Sequence, residues 1–307
     1  MTAIGLTLTG VTALAETGGG ATSAGSPPPA AERPATALGV TAGPAGYHRS
    51  VHEFPTTGDA PYRVRAATPD GDVVDVERAP DGTVYFATVV GDANFILRAG
   101  SDNHEVVADG WAPAVSPDGR RLAYAYYPDD GGLCAPSGIA VLDLPSGDIS
   151  RFPGIVDSHR CQAGDGPILA ISWSPDGRRL AFGDGMAAAG PRILDTASAR
   201  DLADAELLDG TRDWFHPAWL ADGRIAVAEA ATAGGIRILV VDPDTRRTTG
   251  FTPAAFEVQA VNGLDADASG RHLLVSLAGA NQAARVFMLE EGSAPEELVH
   301  SYEIAVW

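Results

Sequence analysis

Two short stretches hold most of the side chains that could do chemistry. Asp157, His159 and Arg160 lie in one, and Arg212, Asp213, Trp214 and His216 in the other, with Tyr127 upstream of both. Carboxylates beside imidazoles can move protons or hold a metal ion. Aromatic and arginine side chains gathered at one opening suit a small ligand or a peptide. The two cysteines, Cys134 and Cys161, occupy neither a C-x-x-C nor a zinc-type spacing.

Familiar catalytic patterns are missing. There is no G-x-S-x-G elbow, no H-E-x-x-H and no P-loop. Asp265-Ala266-Asp267-Ala268-Ser269-Gly270 has the front half of a calcium loop, but the twelfth position is Ser276, where a bidentate glutamate is required. We therefore assign no catalytic residue, metal ligand or cofactor. The two candidate stretches are read as binding residues.

What positions them is a repeat. Ser174 to Phe182 reads SPDGRRLAF, Ser116 to Tyr124 reads SPDGRRLAY, and weaker copies start at Ala79, Ala221 and Ala268. Proline presets the turn, aspartate can bond the local backbone, and glycine takes positive φ freely. The spacing of the copies falls in the range of propeller blades rather than helical repeats. An apolar run precedes each turn, and Phe95–Arg98, Ile139–Asp143, Arg192–Asp195, Ile236–Asp242 and Val286–Leu289 read as the third strands. Four strands per unit, set radially, predict an all-β propeller of antiparallel blades.

The SPDGRRLAF core, followed by a strand ending in Asp and a P-S-G or P-D-T turn, resembles the TolB-like, WD-repeat-like bacterial propeller family over roughly Val73 to Trp307. The resemblance is strong in the second and third units and weaker in the others. It implies a noncatalytic interaction scaffold, often extracytoplasmic. The same repeat also occurs in propellers fused to prolyl-oligopeptidase-type hydrolases, so fold follows more firmly than function.

Five units carry the signature. Val51 to Phe54 and Ile304 to Trp307 supply further strands, so a sixth blade closed by both chain ends is expected, with Tyr62–Ala67 as its outer strand. Five blades plus a loose N-terminal strand is the alternative.

The repeat also assigns faces. Cys134 falls between the second and third strands of one unit, and Cys161 in the connection to the next. Both loops emerge on the face opposite the Pro-Asp-Gly turns. A disulfide between them is expected, which needs an oxidising compartment; two buried thiols are the alternative. The candidate binding residues share this face. The competing reading is that Trp214 and Trp219 pack between blades and the charges are solvated.

Composition narrows the partners. The 307 residues carry 21 basic and 40 acidic side chains, a net charge of −19. Such a surface argues against nucleic acid and anionic membranes as main partners. Residues 1–15 are apolar and end in an A-x-A pattern, but lack the positive start of a secretory signal. We read them as the end of a signal or anchor, the alternatives being a degenerate signal or a tail. Residues 16–46 are rich in Gly, Ala, Pro, Ser and Thr and read as a disordered linker. The propeller is expected over 47–307.

The resulting expectation is a monomeric, extracytoplasmic binding or scaffold propeller near the cell envelope, with an N-terminal membrane tether. It would take a protein or small-molecule ligand on the face bearing Cys134 and Cys161. The rival is a lactonase- or glycosidase-like hydrolase acting in the channel. A third is a sensor domain whose N-terminal part crosses the membrane.

Overall fold

In a computed structural model, each Asp-Gly turn closes through its own side chains. Ser116 Oγ donates to Asp118 Oδ1 at 2.5 Å and accepts from Arg121 N–H at 2.9 Å, while Asp118 Oδ1 also accepts from Arg120 N–H. Ser174, Asp176, Arg178 and Arg179 repeat this set. Gly119 and Gly177 sit at φ of 70° and 66°, where a Cβ would be strained. The structure describes residues 33–41, 50–57, 63–68, 71–91, 93–100, 103–127, 138–154, 168–184, 190–208, 214–231, 235–252, 255–257, 260–278, 284–300 and 302–307.

The strands form six antiparallel blades of four. Blade 1 holds β4 (Asp72–Arg78), β5 (Val84–Val90), β6 (Ala93–Arg98) and β7 (Glu105–Asp109). Blade 2 holds β8 (Trp111–Val115), β9 (Arg121–Tyr126), β10 (Gly138–Asp143) and β11 (Ile149–Phe152). Blade 3 holds β12 (Ile168–Trp173), β13 (Arg179–Asp184), β14 (Arg192–Asp195) and β15 (Glu206–Leu207). Blade 4 holds β16 (Trp214–Trp219), β17 (Ile225–Ala230), β18 (Ile236–Val241) and β19 (Thr248–Gly250). Blade 5 holds β20 (Ala260–Ala266), β21 (His272–Ala278), β22 (Arg285–Glu290) and β23 (Glu296–His300).

Blade 6 closes the ring. Its inner strand is the last of the chain, β24 (Tyr302–Val306), paired with β1 (Thr36–Thr41), which pairs with β2 (Ser50–Pro55) and then β3 (Arg63–Ala67). The outer strand is thus within one residue of the expected Tyr62–Ala67. β1, however, lies inside the stretch 16–46 read as linker. Ala37, Leu38 and Val40 are fully buried, so the propeller takes up the end of that stretch. Small residues hid the strand: β1 is held by a neighbour on each side, and Gly39 lies where a Cβ would stand 2.6 Å from Tyr302 Cδ1. Residues 1–32 lie outside the described residues, as do Cys134 and Cys161 and with them the expected disulfide.

Blades bury one another through apolar faces. Ala123, Ala125, Ile139 and Leu180 belong to one buried cluster spanning blades 2 and 3. Signature arginines reinforce the seams. The Arg121 guanidinium stacks over Trp173 at 4.6 Å and donates to the Gly177 carbonyl at 2.6 Å. Arg179 stacks over Trp219 at 4.9 Å. Such contacts contribute about 1 kcal/mol each at partly exposed sites.

Candidate functional site

Inner strands of a propeller wall its axis, so their irregularities decide what the channel presents. All six inner-strand pairings carry a register shift, between Val73 and Asp75, Trp111 and Ala114, Ile168 and Ala170, Phe215 and Ala218, Val261 and Gly263, and in blade 6 at Val40/Thr41. Bulges re-aim side chains that would otherwise alternate across the sheet. Ala112 and His216 sit in two of them with φ of 51° and 49°, each before a proline. Non-glycine residues rarely hold that conformation, and they do so where the surroundings fix them.

The six inner strands enclose a cavity of about 630 Å³. Its loop-face mouth is aromatic and apolar. Trp111 and Tyr127 lie with ring centroids 4.5 Å apart, and Trp111 Nε1 donates to the Ile168 carbonyl at 2.6 Å. Tyr127 is 52% exposed and Leu169, beside it on the wall, is 44% exposed. His216 follows on the blade 4 wall. Burial pushes its imidazole down to about 4, against a hydrogen bond with the Val261 backbone. The ring is therefore neutral at neutral pH.

Deeper along the strands stand three carboxyl groups, Asp75 and Glu77 of β4 and Asp265 of β20. Glu77 and Asp265 occupy equivalent places, each two residues before the residue that opens its turn, Ala79 and Asp267. Burial raises all three, and each lies close enough to another acid to be raised further. Asp75 is pushed up to about 7 by burial and by Asp265. Asp265 is pushed up to about 6 by burial, with Asp267 adding to it. Glu77 is raised well above the carboxylate range by burial, Asp265 and Asp75. Among the described residues none of the three pairs with a basic group, and no arginine lines the cavity.

The structure divides the expected site residues. Tyr127 and His216 line the cavity. Trp214 does not: it is 3% exposed, packed with Trp219, Ile225 and Leu239, and its Nε1 donates to Glu229 Oε1 at 3.0 Å. Its place as the first residue of β16 turns it into the blade seam, as the competing reading had it. Asp157, His159, Arg160, Arg212 and Asp213 lie outside the described residues. In the calcium-like segment, Asp267 is used by the turn: Oδ1 accepts from Arg271 and His272 N–H, and Oδ2 lies 2.9 Å from His272 Nδ1. Sequence reasoning missed Trp111, Leu169, Asp75 and Glu77. The signal was present in Asp72-Val-Val-Asp-Val-Glu, where acids recur in a strand that must line the axis.

No family model matches the chain, and no curated protein matches it in sequence. Solved structures do match. TolB from Acinetobacter baumannii superposes with a TM-score of 0.65 at 15% identity, covering 89% of this chain and 66% of that one. A protein described as TolB from Agrobacterium tumefaciens gives 0.58 at 20% identity, covering 79% and 85%. A puromycin-hydrolyzing peptidase from Mycobacterium tuberculosis gives 0.54 at 18%, covering 82% of this chain and 41% of the peptidase. The chain thus spans just under two thirds of the first of these and less than half of the peptidase. At such identities the likeness is one of fold. By that likeness and by its own blades, the chain is a six-bladed β-propeller with a TolB-like fold.

Proposed function

We propose that this protein is a noncatalytic binding propeller, held outside the cytoplasm, which takes its ligand through the channel mouth at Trp111, Tyr127 and Leu169. One observation carries this reading: a single cavity joins the exposed Tyr127 and the half-buried Trp111 to carboxyl groups that, among the described residues, have no basic partner. Concave sites of this volume, apolar with a few convergent polar groups, are the usual form of a ligand pocket. The apolar residues 1–15 and the Gly/Pro-rich stretch after them support a tether to the envelope. The likeness to TolB supports a scaffold role.

Photo-crosslinking from the native envelope tests it. A benzophenone amino acid replacing Tyr127 is compared with one replacing Ser146, an exposed residue of a turn on the opposite face. The expected result is an adduct specific to position 127 and lost in Trp111→Ala. Equal adducts from both positions would contradict the reading.

A channel hydrolase is the second reading. It draws on one feature, a neutral imidazole at His216 sharing a cavity with proton-bearing carboxyl groups. Turnover of lactones or glycosides that disappears in His216→Ala, with the fold intact, would favour it.

A further inference from the structure

Among the described residues the carboxyl groups of the cavity have no basic partner. Asp75 Oδ1 accepts from the adjacent Val76 N–H at 2.8 Å, and Glu77 Oε1 accepts from Val115 N–H at 3.1 Å. Among the described residues the second oxygen of each has no hydrogen-bond partner. Asp265 Oδ2 accepts from Trp307 N–H at 2.9 Å. Asp75, Glu77 and Asp265 are half-buried, and carboxyl groups drawn out of water without a cationic partner hold their protons to higher pH than usual. Among the described residues the charged groups that act on the three are one another and Asp267, all acids, and the backbone N–H of Ala266 also bonds Asp265. His216, on the blade 4 wall, is neutral.

The space suits an organic cation. Among the described residues no three ligating side chains converge closely enough to hold a metal ion, and about 630 Å³ far exceeds a bare ion. The wall carries the apolar side chains of Ala170, Ile171, Leu264 and Val306 alongside the amides of Asn94 and Asn262. A stem of methylene groups fits such a wall while its charged end reaches polar partners. At the mouth, the Trp111 and Tyr127 faces attract a passing cation.

We propose that the channel is a receptor for an ammonium or guanidinium group on an apolar stem, entering past Trp111 and Tyr127 and seating its charge against Asp75, Glu77 and Asp265. This rests on the channel being a binding site, and it names the ligand's chemistry. The group occurs on free polyamines and on basic side chains of peptides. Seating it displaces protons from the carboxyl groups to solvent, so binding releases protons and tightens as pH rises.

Calorimetry on the full chain tests this with two probes, spermidine and a short acetylated, amidated peptide with one lysine. The expected result is saturable binding of at least one probe. Proton release, measured in buffers of different ionisation enthalpy, is expected to accompany it. Affinity should rise about tenfold or more from about pH 5 to about pH 8. Binding of spermidine alone would identify free polyamines as the source, and binding of the peptide alone would identify a basic side chain. Asp75→Asn and Glu77→Gln, which keep the hydrogen-bond acceptors, should each weaken binding about tenfold. Circular dichroism confirms that the variants are folded. No binding of either probe at millimolar concentration, or binding unchanged in both variants, would overturn the inference. If the Tyr127 adduct formed while neither amine bound, the inference would fall and the binding reading would stand.

Discussion

The Trp307 backbone N–H donates to Oδ2 of Asp265 at 2.9 Å, tying the residue after the closing strand to the inner strand of blade 5. The same bond recurs twice around the axis. Glu77 of blade 1 accepts from Val115 N–H of blade 2, and Ser172 of blade 3 accepts from Trp219 N–H of blade 4 at 2.9 Å. Odd blades present the polar side chain, while Ala114, Ala218 and Val306 fill the matching place in the even ones. Glu77 and Asp265 are thus seam residues as well as channel residues.

Removing one such bond isolates its contribution. Ser172→Ala leaves the Trp219 N–H without its acceptor and should lower stability by about 1–2 kcal/mol. Urea denaturation checks this. An unchanged midpoint would mean the seam is held by packing alone.

Ring closure depends on the contact between Gly39 and Tyr302. The Tyr302 ring stacks on Phe54 with centroids 5.0 Å apart, and a Cβ at position 39 would lie 2.6 Å from Tyr302 Cδ1 and 3.0 Å from Phe54 Cε1. Gly39→Val should therefore displace both rings and cost about 1–3 kcal/mol, as overpacking does. Hydrogen exchange should show protection lost first in β1 and β24. Uniform loss over all blades would contradict a local closure.

Stability should fall with pH because of Asp75. Its carboxyl is raised in the folded chain to about 7 from an ordinary 3.8. Between those values the folded state binds more protons than the unfolded one, so its contribution is full at the acid end and lost as pH climbs through about 7. His216 works the other way: its pKa is lowered to about 4, so stability rises as pH climbs from there towards 6.5. Comparing the parent chain with Asp75→Asn removes the histidine from the difference. The parent should lose ground to the variant across this range, by on the order of a few kcal/mol. A difference that does not change with pH would contradict the raised value.

Trp214 and Tyr127 separate fold from binding. Trp214→Ala empties a buried seam and should cost about 3–5 kcal/mol. Tyr127, being half exposed, should tolerate Tyr127→Ala with little change in melting temperature while weakening the ligand binding that calorimetry reads. Equal destabilisation by both would place Tyr127 in the core.

Much of this architecture was legible in the turns. Ser-Pro-Asp-Gly makes its own hydrogen bonds, so local sequence alone implied the second strands, and the apolar runs on either side implied the first and third. Ile168–Trp173 and Arg192–Asp195 occupy their expected ranges. β1 escaped because Leu38 and Val40 are its only large apolar residues, and pairing with β2 and β24 is a long-range event. The site was half legible for a similar reason. Loop position pointed to Tyr127 and His216, but it also pointed to Trp214, which one strand's orientation turns inward. Asp75 and Glu77 alternate with Val76 as on any half-exposed strand, and only closure of the ring puts that strand on the axis.

The most direct measurement is a carbon-13 NMR titration of the side-chain carboxyl of Asp75. A channel acid without a cationic partner should titrate near 7, with Asp265 near 6. A midpoint for Asp75 at or below its ordinary 3.8 would require a basic group beside it and would contradict an unanswered charge in the channel.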